Sequence, residues 1–273
     1  ELAEAEKLYE TILQKFSNNI RSQRELLDLK SSIQNNCTQS PPQELVDQLI
    51  SLYNQGQITT VIEQAESLVD EYPGAYIVWN ILGASRAQIG MLDEAIEAYK
   101  KSVSIKPDFA EGYNNIGVAF RNQGKLDESV KTYEKAISIK PNDPETYYNL
   151  GITLEDQSKL DEAVSAYNNS IALNPEYAEA YNKLGYVLHA QGKLEEALEA
   201  YIKSILLRPN YAEAYNNLGV TLGKQGKLED AIEAYQKSIS LKPNYAEAYS
   251  NMGNTLKDQG KLDEAIETYN KAK

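Results

Sequence analysis

The chain has 273 residues, 42% of them apolar, and a net charge of −13. That length suits one or two globular domains, and the negative charge argues against a nucleic-acid backbone as partner. With a single cysteine, Cys37, and a single histidine, His189, an internal disulfide and a zinc site of the usual Cys/His type are excluded by count. No apolar run is long enough to span a bilayer and no signal peptide opens the given sequence. A reducing compartment is permitted, and a cytoplasmic location is the expectation.

In chain order, residues 1–19 read as the second helix of a repeat whose first helix is missing, with Ala5, Tyr9 and Ile12 along one face. A helix is expected at 20–34, carrying Leu26, Leu27 and Leu29. The polar stretch Asn35 to Ser40, followed by Pro41 and Pro42, reads as a linker. Residues 1–41 are therefore a partial repeat, an extra helix and a linker. Unit 42–75 keeps Gly56 and Pro73 but has Leu45, Leu49, Val61 and Ala65 where later units carry their signature residues, as a degenerate repeat capping a stack would.

From residue 76 the chain repeats itself every 34 residues, in units 76–109, 110–143, 144–177, 178–211, 212–245 and 246–273, the last truncated. Gly83, Gly117, Gly151, Gly185, Gly219 and Gly253 align at that step. So do Trp79, Tyr113, Tyr147, Tyr181, Tyr215 and Tyr249, and Tyr99, Tyr133, Tyr167, Tyr201, Tyr235 and Tyr269. A fixed period in this range marks a solenoid. In unit 212–245, Tyr215, Leu218, Gly219 and Leu222 stand at i, i+3, i+4 and i+7, one face of an amphipathic helix. Gly226 ends it, acidic Glu229 and Asp230 open a second helix at the positive end of its dipole, and Pro243 closes the unit. Small residues at Gly219, Ala231 and Ser238 allow close helix approach, with tyrosine rings filling the space beside them. Both ends fall inside the repeat pattern, as in a piece of a longer protein.

This combination of an aromatic, Leu-Gly, small–aromatic–small and Pro resembles the tetratricopeptide repeat (TPR) family, strongly over 76–273 and weakly over 42–75. The stretch 249–257 is also similar to repeats of the O-linked N-acetylglucosamine transferase branch and its bacterial relatives. The resemblance implies an all-α fold, a right-handed α-solenoid or superhelix of helix–turn–helix units whose first helices line a concave side. Two departures stand out. Arg86 occupies a position that is apolar in the other units, so that either its stem packs and its head snorkels or that repeat is partly open. Ser158 replaces the helix-ending glycine, at a cost of about 1 kcal/mol if a left-handed conformation is required.

No catalytic constellation emerges and no cofactor or metal is expected, so the chain reads as a non-enzyme. The run Gly223 to Leu228 lacks the Ser/Thr and the preceding strand of a phosphate loop, and acidic pairs such as Asp127-Glu128 and Asp161-Glu162 sit where helices begin. What the helical wheel offers is a groove. One row along the first helices reads Ile81, Asn115, Asn149, Lys183, Asn217, Asn251, and another Ile77, Glu111, Glu145, Glu179, Glu213, Glu247. A ladder of amides can donate to and accept from the backbone of an extended peptide, and the resemblance to the transferase branch implies that use; the alternatives are that these asparagines bridge adjacent repeats or persist because the repeats were recently duplicated. The glutamates attract Lys or Arg side chains or merely begin helices. Lys183 breaks the amide row, with Tyr148, Tyr186 and His189 expected nearby.

The expected function is a protein-interaction scaffold holding an extended, polar or basic peptide in the concave groove. The alternative is a substrate-selecting arm of a larger glycosyltransferase or sulfotransferase whose catalytic domain lies outside this chain. End-to-end self-association through unit 246–273 is a third expectation. The net charge is concentrated in units 42–75 (−6) and 144–177 (−5), so a cationic partner is steered there.

Overall fold

The computed structural model describes residues 40–272. The expectations for 1–39, including the partial repeat, the helix at 20–34 and the linker around Cys37, lie outside the described residues. The chain forms two compact units that meet in sequence at Ala119 and Phe120. Every regular element among the described residues is an α-helix.

The first unit contains α1 (Gln43–Asn54), α2 (Ile58–Glu71), α3 (Tyr76–Gln88), α4 (Leu92–Ile105) and the beginning of α5 (Ala110–Asn122). Its core joins Leu49, Val61 and Ala65 of unit 42–75 to Val78, Leu82 and Ala98 of the next repeat. The Trp79 indole N–H donates to the Pro73 carbonyl at 3.0 Å, so this ring packs and satisfies its one donor. Arg86 resolves as a packed stem with a paired head. Its side chain is 19% exposed and its guanidinium reaches Glu66 on α2 at 2.7 Å.

The second unit begins within α5 and continues through α6 (Leu126–Ile139), α7 (Pro144–Asp156), α8 (Leu160–Leu173), α9 (Ala178–Ala190), α10 (Leu194–Leu207), α11 (Ala212–Lys224), α12 (Leu228–Leu241), α13 (Ala246–Asp258) and α14 (Leu262–Lys271). Helices α7 and α8, α9 and α10, α11 and α12, and α13 and α14 pair as hairpins, and the second helix of each packs on the first helix of the next.

Each hairpin closes on one contact. In α9, Leu184, Gly185 and Leu188 are buried and Tyr181 is half-buried, the periodic face read from the sequence. Tyr201 of α10 lies against Gly185 so closely that a Cβ there would meet the ring at 2.7 Å. Gly151 against Tyr167, Gly219 against Tyr235 and Gly253 against Tyr269 repeat this at 2.6 to 2.7 Å. A serine of each second helix then ties the hairpin to the start of its first helix. Ser170 donates to the Pro144 carbonyl, Ser204 to Ala178 and Ser238 to Ala212, at 2.7 to 2.8 Å.

The acidic residues that open second helices also clasp the following repeat. The amide N–H groups of Gln157, Gln191, Gln225 and Gln259 donate to the carboxylates of Asp127, Asp161, Glu195 and Glu229 at 2.7 to 3.2 Å. Helix α7 starts differently from its neighbours. Asp143 caps it through the Thr146 N–H and hydroxyl, with Pro144 at the first helical position.

Ser158 does take a left-handed φ of 61°, where Gly192 and Gly226 take 78° and 77°. Ser158→Gly is therefore expected to raise stability by about 1 kcal/mol in urea unfolding. Gly185→Ala is expected to lower it by about 1–3 kcal/mol, because the clash with Tyr201 exceeds the gain in helix propensity. A Gly185→Ala variant as stable as the wild type would show that the ring moves aside freely.

Candidate functional site

Within the second unit the first helices α7, α9, α11 and α13 touch one another in succession, so equivalent faces adjoin. On that face Asn149, Lys183, Asn217 and Asn251 are all half-buried. Asn217 and Asn251 are bridges between repeats. The Asn217 amide N–H donates to Asn182 Oδ1 at 3.1 Å, and Asn251 to Asn216 Oδ1 at 3.0 Å. In the first unit Asn115 donates to Asn80 in the same way at 3.0 Å. The acceptors Asn80, Asn182 and Asn216 are buried, so each bridge satisfies a carbonyl that water does not reach. Among the described residues, the second amide N–H and the amide oxygen of Asn217 and Asn251 have no partner.

The glutamate row is engaged from the same side. Asn182 donates to Glu213 and Asn216 to Glu247, at 3.3 and 3.1 Å. Glu179 pairs with Arg208. Glu145 is exposed at the start of α7, as is Glu111 at the start of α5 in the first unit.

Lys183 has a physical reason to interrupt the amides. The acceptor row reads Asn80, Asn114, Tyr148, Asn182, Asn216 at the 34-residue step, so the residue facing position 183 is a tyrosine rather than an asparagine. Lys183 turns instead to Glu155, 3.4 Å away, with side-chain exposures of 29% and 15%. The other oxygen of Glu155 accepts the Tyr167 hydroxyl at 2.8 Å. The ammonium also lies 5.6 Å from the centre of the Tyr186 ring, which is exposed. Tyr148 packs on Tyr167 (centroids 6.0 Å apart) and on Tyr177 (5.0 Å). Burial first, then the carboxylates of Glu179, Glu213 and Glu155, push the Tyr148 hydroxyl up to about 12. Burial likewise dominates at Tyr211, where Glu213 adds to it and the value is also about 12. These phenols stay neutral and can donate throughout the physiological range.

His189 bonds forward to the next repeat. Its Nδ1 is 2.9 Å from Thr221 Oγ1, whose own hydrogen goes to the Asn217 carbonyl at 2.9 Å, so the imidazole is the donor. Burial, and secondarily Lys224, hold its pKa below the ordinary value.

The structure thus gathers Tyr148, Lys183 and Tyr186 around Glu155 and Tyr167, and turns His189 towards Thr221. Glu155, Tyr177, Tyr211, Asn182 and Asn216 belong to the same surface and were not singled out from sequence. The acceptor row would have revealed the last two, since it shares the 34-residue step. No group of three or more His, Cys, Asp or Glu is placed to hold a metal among the described residues. None of their helices is long and apolar enough to cross a membrane.

A family model for the C-terminal domain of cilia and flagella-associated protein 70, a TPR domain, matches residues 29–273. The chain belongs to this TPR family. No curated protein matches it. Among solved structures it is similar to MamA, at 29% identity over 61% of this chain and 97% of that one, with a TM-score of 0.56. YrrB, described as a TPR protein with an unusual peptide-binding site, is 23% identical over 67% of this TPR chain and 95% of its own, with a TM-score of 0.55. A chain of the Cut9–Hcn1 hetero-tetramer is 19% identical over 97% and 48%, with a TM-score of 0.68. The last two likenesses show the fold.

Asn217→Ala is expected to cost about 1–3 kcal/mol in urea unfolding, because Asn182 Oδ1 stays buried without its donor. For His189 the folded pKa is depressed, so below the unfolded value of about 6.5 the unfolded chain takes up the proton first. Its stability contribution is complete above that pH and is lost as pH falls through the folded value. Denaturation midpoints measured from pH 7.5 to 5 should show this loss in the wild type and less of it in His189→Gln.

Proposed function

We propose that this TPR chain is a non-catalytic protein-interaction scaffold whose first helices hold an extended, polar or basic peptide segment. The groove consists of Asn149, Lys183, Asn217 and Asn251 with Glu145, Glu179, Glu213, Glu247, Tyr148, Tyr186 and His189 of the second unit; Asn115 and Glu111 hold the equivalent positions within the first unit. Stacked repeats of this kind present extended binding surfaces. The observation that carries the reading is the half-spent amide. In Asn217 and Asn251 one N–H fixes the side chain to the preceding repeat, and the oxygen and second N–H remain for a guest. A rigidly held amide loses little freedom when it binds a peptide backbone, so more of each hydrogen bond appears as affinity. The regular repeat of backbone groups in an extended strand meets a regular repeat of amides, whatever the side chains between them.

The side chains are read where regularity fails. Lys183 replaces an amide with a cation already paired to Glu155, so it selects against a guest cation at that point. The cytoplasm is the proposed location, in keeping with the single cysteine.

An array of acetylated ten-residue peptides tests the reading. Asn149→Ala combined with Asn217→Ala should weaken all bound peptides about tenfold, corresponding to about 1.4 kcal/mol for the lost hydrogen bonds. Lys183→Glu should instead change which peptides bind, towards more basic ones, with Lys183→Met intermediate. Circular dichroism melts confirm that each variant is folded. Unchanged selection in all three folded variants would place the binding surface elsewhere.

A further inference from the structure

The residue that precedes each first helix forms a row at the 34-residue step: Phe109, Asp143, Tyr177, Tyr211 and Tyr245. Three positions before each stands Lys106, Lys140, Asn174, Arg208 or Lys242. Where a cation is followed by a ring, the protein lays the one over the other. Lys106 is 5.9 Å from the centre of Phe109, Arg208 is 4.9 Å from Tyr211 and Lys242 is 4.5 Å from Tyr245. Where the following residue is Asp143, Lys140 pairs with its carboxylate at 3.4 Å. Tyr177 breaks the rule. The residue in the cation's place is Asn174, whose side-chain oxygen accepts the Glu176 N–H at 3.1 Å.

At one of these positions a carboxylate completes the arrangement. Arg208 pairs with Glu179 while stacking on Tyr211, a complete corner of ring, acid and guanidinium. One repeat earlier the counterpart acid is Glu145, exposed and without an ion-pair partner among the described residues. A second ring completes that corner, since Tyr148 lies 5.0 Å from Tyr177 at a tilt of 37°. Burial, then Tyr148, Glu145 and Glu179, push the Tyr177 hydroxyl up, so the phenol stays neutral. Unit 144–177 carries −5, whereas 178–211, which holds Arg208, is neutral.

We propose that the corner formed by Tyr148, Tyr177 and Glu145 takes an arginine side chain from a bound peptide, in the place that Arg208 fills within the protein one repeat later. The inference deepens the groove reading above and rests on it. A guanidinium meets what it meets at Arg208: a π face to lie on and a carboxylate to receive its N–H groups. The two rings are half-buried, which reduces the water that would otherwise screen the charge. A partner with arginine in an extended segment is thereby distinguished from one that merely presents polar backbone.

Asn174→Arg provides the test, because it supplies the missing cation from within. The backbone accepts it: φ and ψ are −135° and 90° at Asn174, against −133° and 88° at Arg208. The probes are two acetylated, amidated Gly/Ser dodecapeptides, one carrying a central arginine and the other citrulline, which has the same shape without the charge. Calorimetric titration of the full chain should show the arginine peptide bound about 5- to 10-fold more tightly by the wild type. That preference should vanish in Asn174→Arg and in Tyr177→Leu, with citrulline binding unchanged. Equal binding of both peptides by the wild type overturns the arginine site and leaves the groove standing. Binding of neither removes both. A preference that survives in Asn174→Arg also overturns the site.

Discussion

A glycine backbone pressed against a tyrosine ring is the contact on which the hairpins α3–α4, α7–α8, α9–α10, α11–α12 and α13–α14 depend. At Gly83, Gly151, Gly185, Gly219 and Gly253 a methyl group would stand within 2.7 Å of a ring carbon of the partner tyrosine. That proximity sets the separation of the two helices. It also buries the second-helix rings: Tyr167 and Tyr201 are among the largest side chains withdrawn from water in the chain. Their apolar area is the main stabilising term available to a unit that otherwise consists of short, polar helices. Helix spacing then fixes where everything else can reach, including the serine that ties each hairpin to the start of its first helix.

Stacking repeats leaves polar groups at every junction, and the protein pairs them across the step. Glutamine reaches back to the acid that opened the preceding second helix, asparagine to the amide of the preceding first helix, and buried asparagine forward to glutamate. These bonds recur with period because the sequence does, and they limit what the surface can offer a partner. A side chain already spent on its neighbour cannot also grip a guest with the same atom. The binding capacity of this face is therefore the remainder: amide oxygens, second N–H groups, and the positions where the pairing pattern is interrupted.

The fold was legible because its cause is periodic. Helix faces, the small residues opposite tyrosines and the left-handed turn at Ser158 all follow from setting one repeat under another. The candidate face was legible as rows, but not as bonds. The spacing placed Asn115, Asn217 and Asn251 along the first helices. It could not show that one hydrogen of each amide is taken by Asn80, Asn182 or Asn216, since that requires the distance between adjacent helices. The environment of Lys183 was half visible. Tyr186 lies one turn away on the same helix, but Glu155 reaches Lys183 from the preceding repeat, and only packing shows that its second oxygen is held by Tyr167. His189 was placed near Lys183 by the spacing, but its bond to Thr221 depends on the stacking angle.

The departures from periodicity cluster, and their clustering is itself informative. Tyr148 in place of asparagine removes the acceptor that residue 183 would use, and Lys183 then needs another partner, which Glu155 supplies. Without an asparagine at 148, no buried amide reaches Glu179 as Asn182 reaches Glu213, and Arg208 takes Glu179 instead. Each exception compensates another, so the group behaves as one altered junction rather than as scattered drift. Among the described residues, Asn174 and Glu145 at the edge of this junction lack the ion pair that their counterparts Arg208 and Glu179 form. Under the arginine-site proposal, the Tyr177 ring and the Glu145 carboxylate receive from a guest the charge that Arg208 supplies one repeat later.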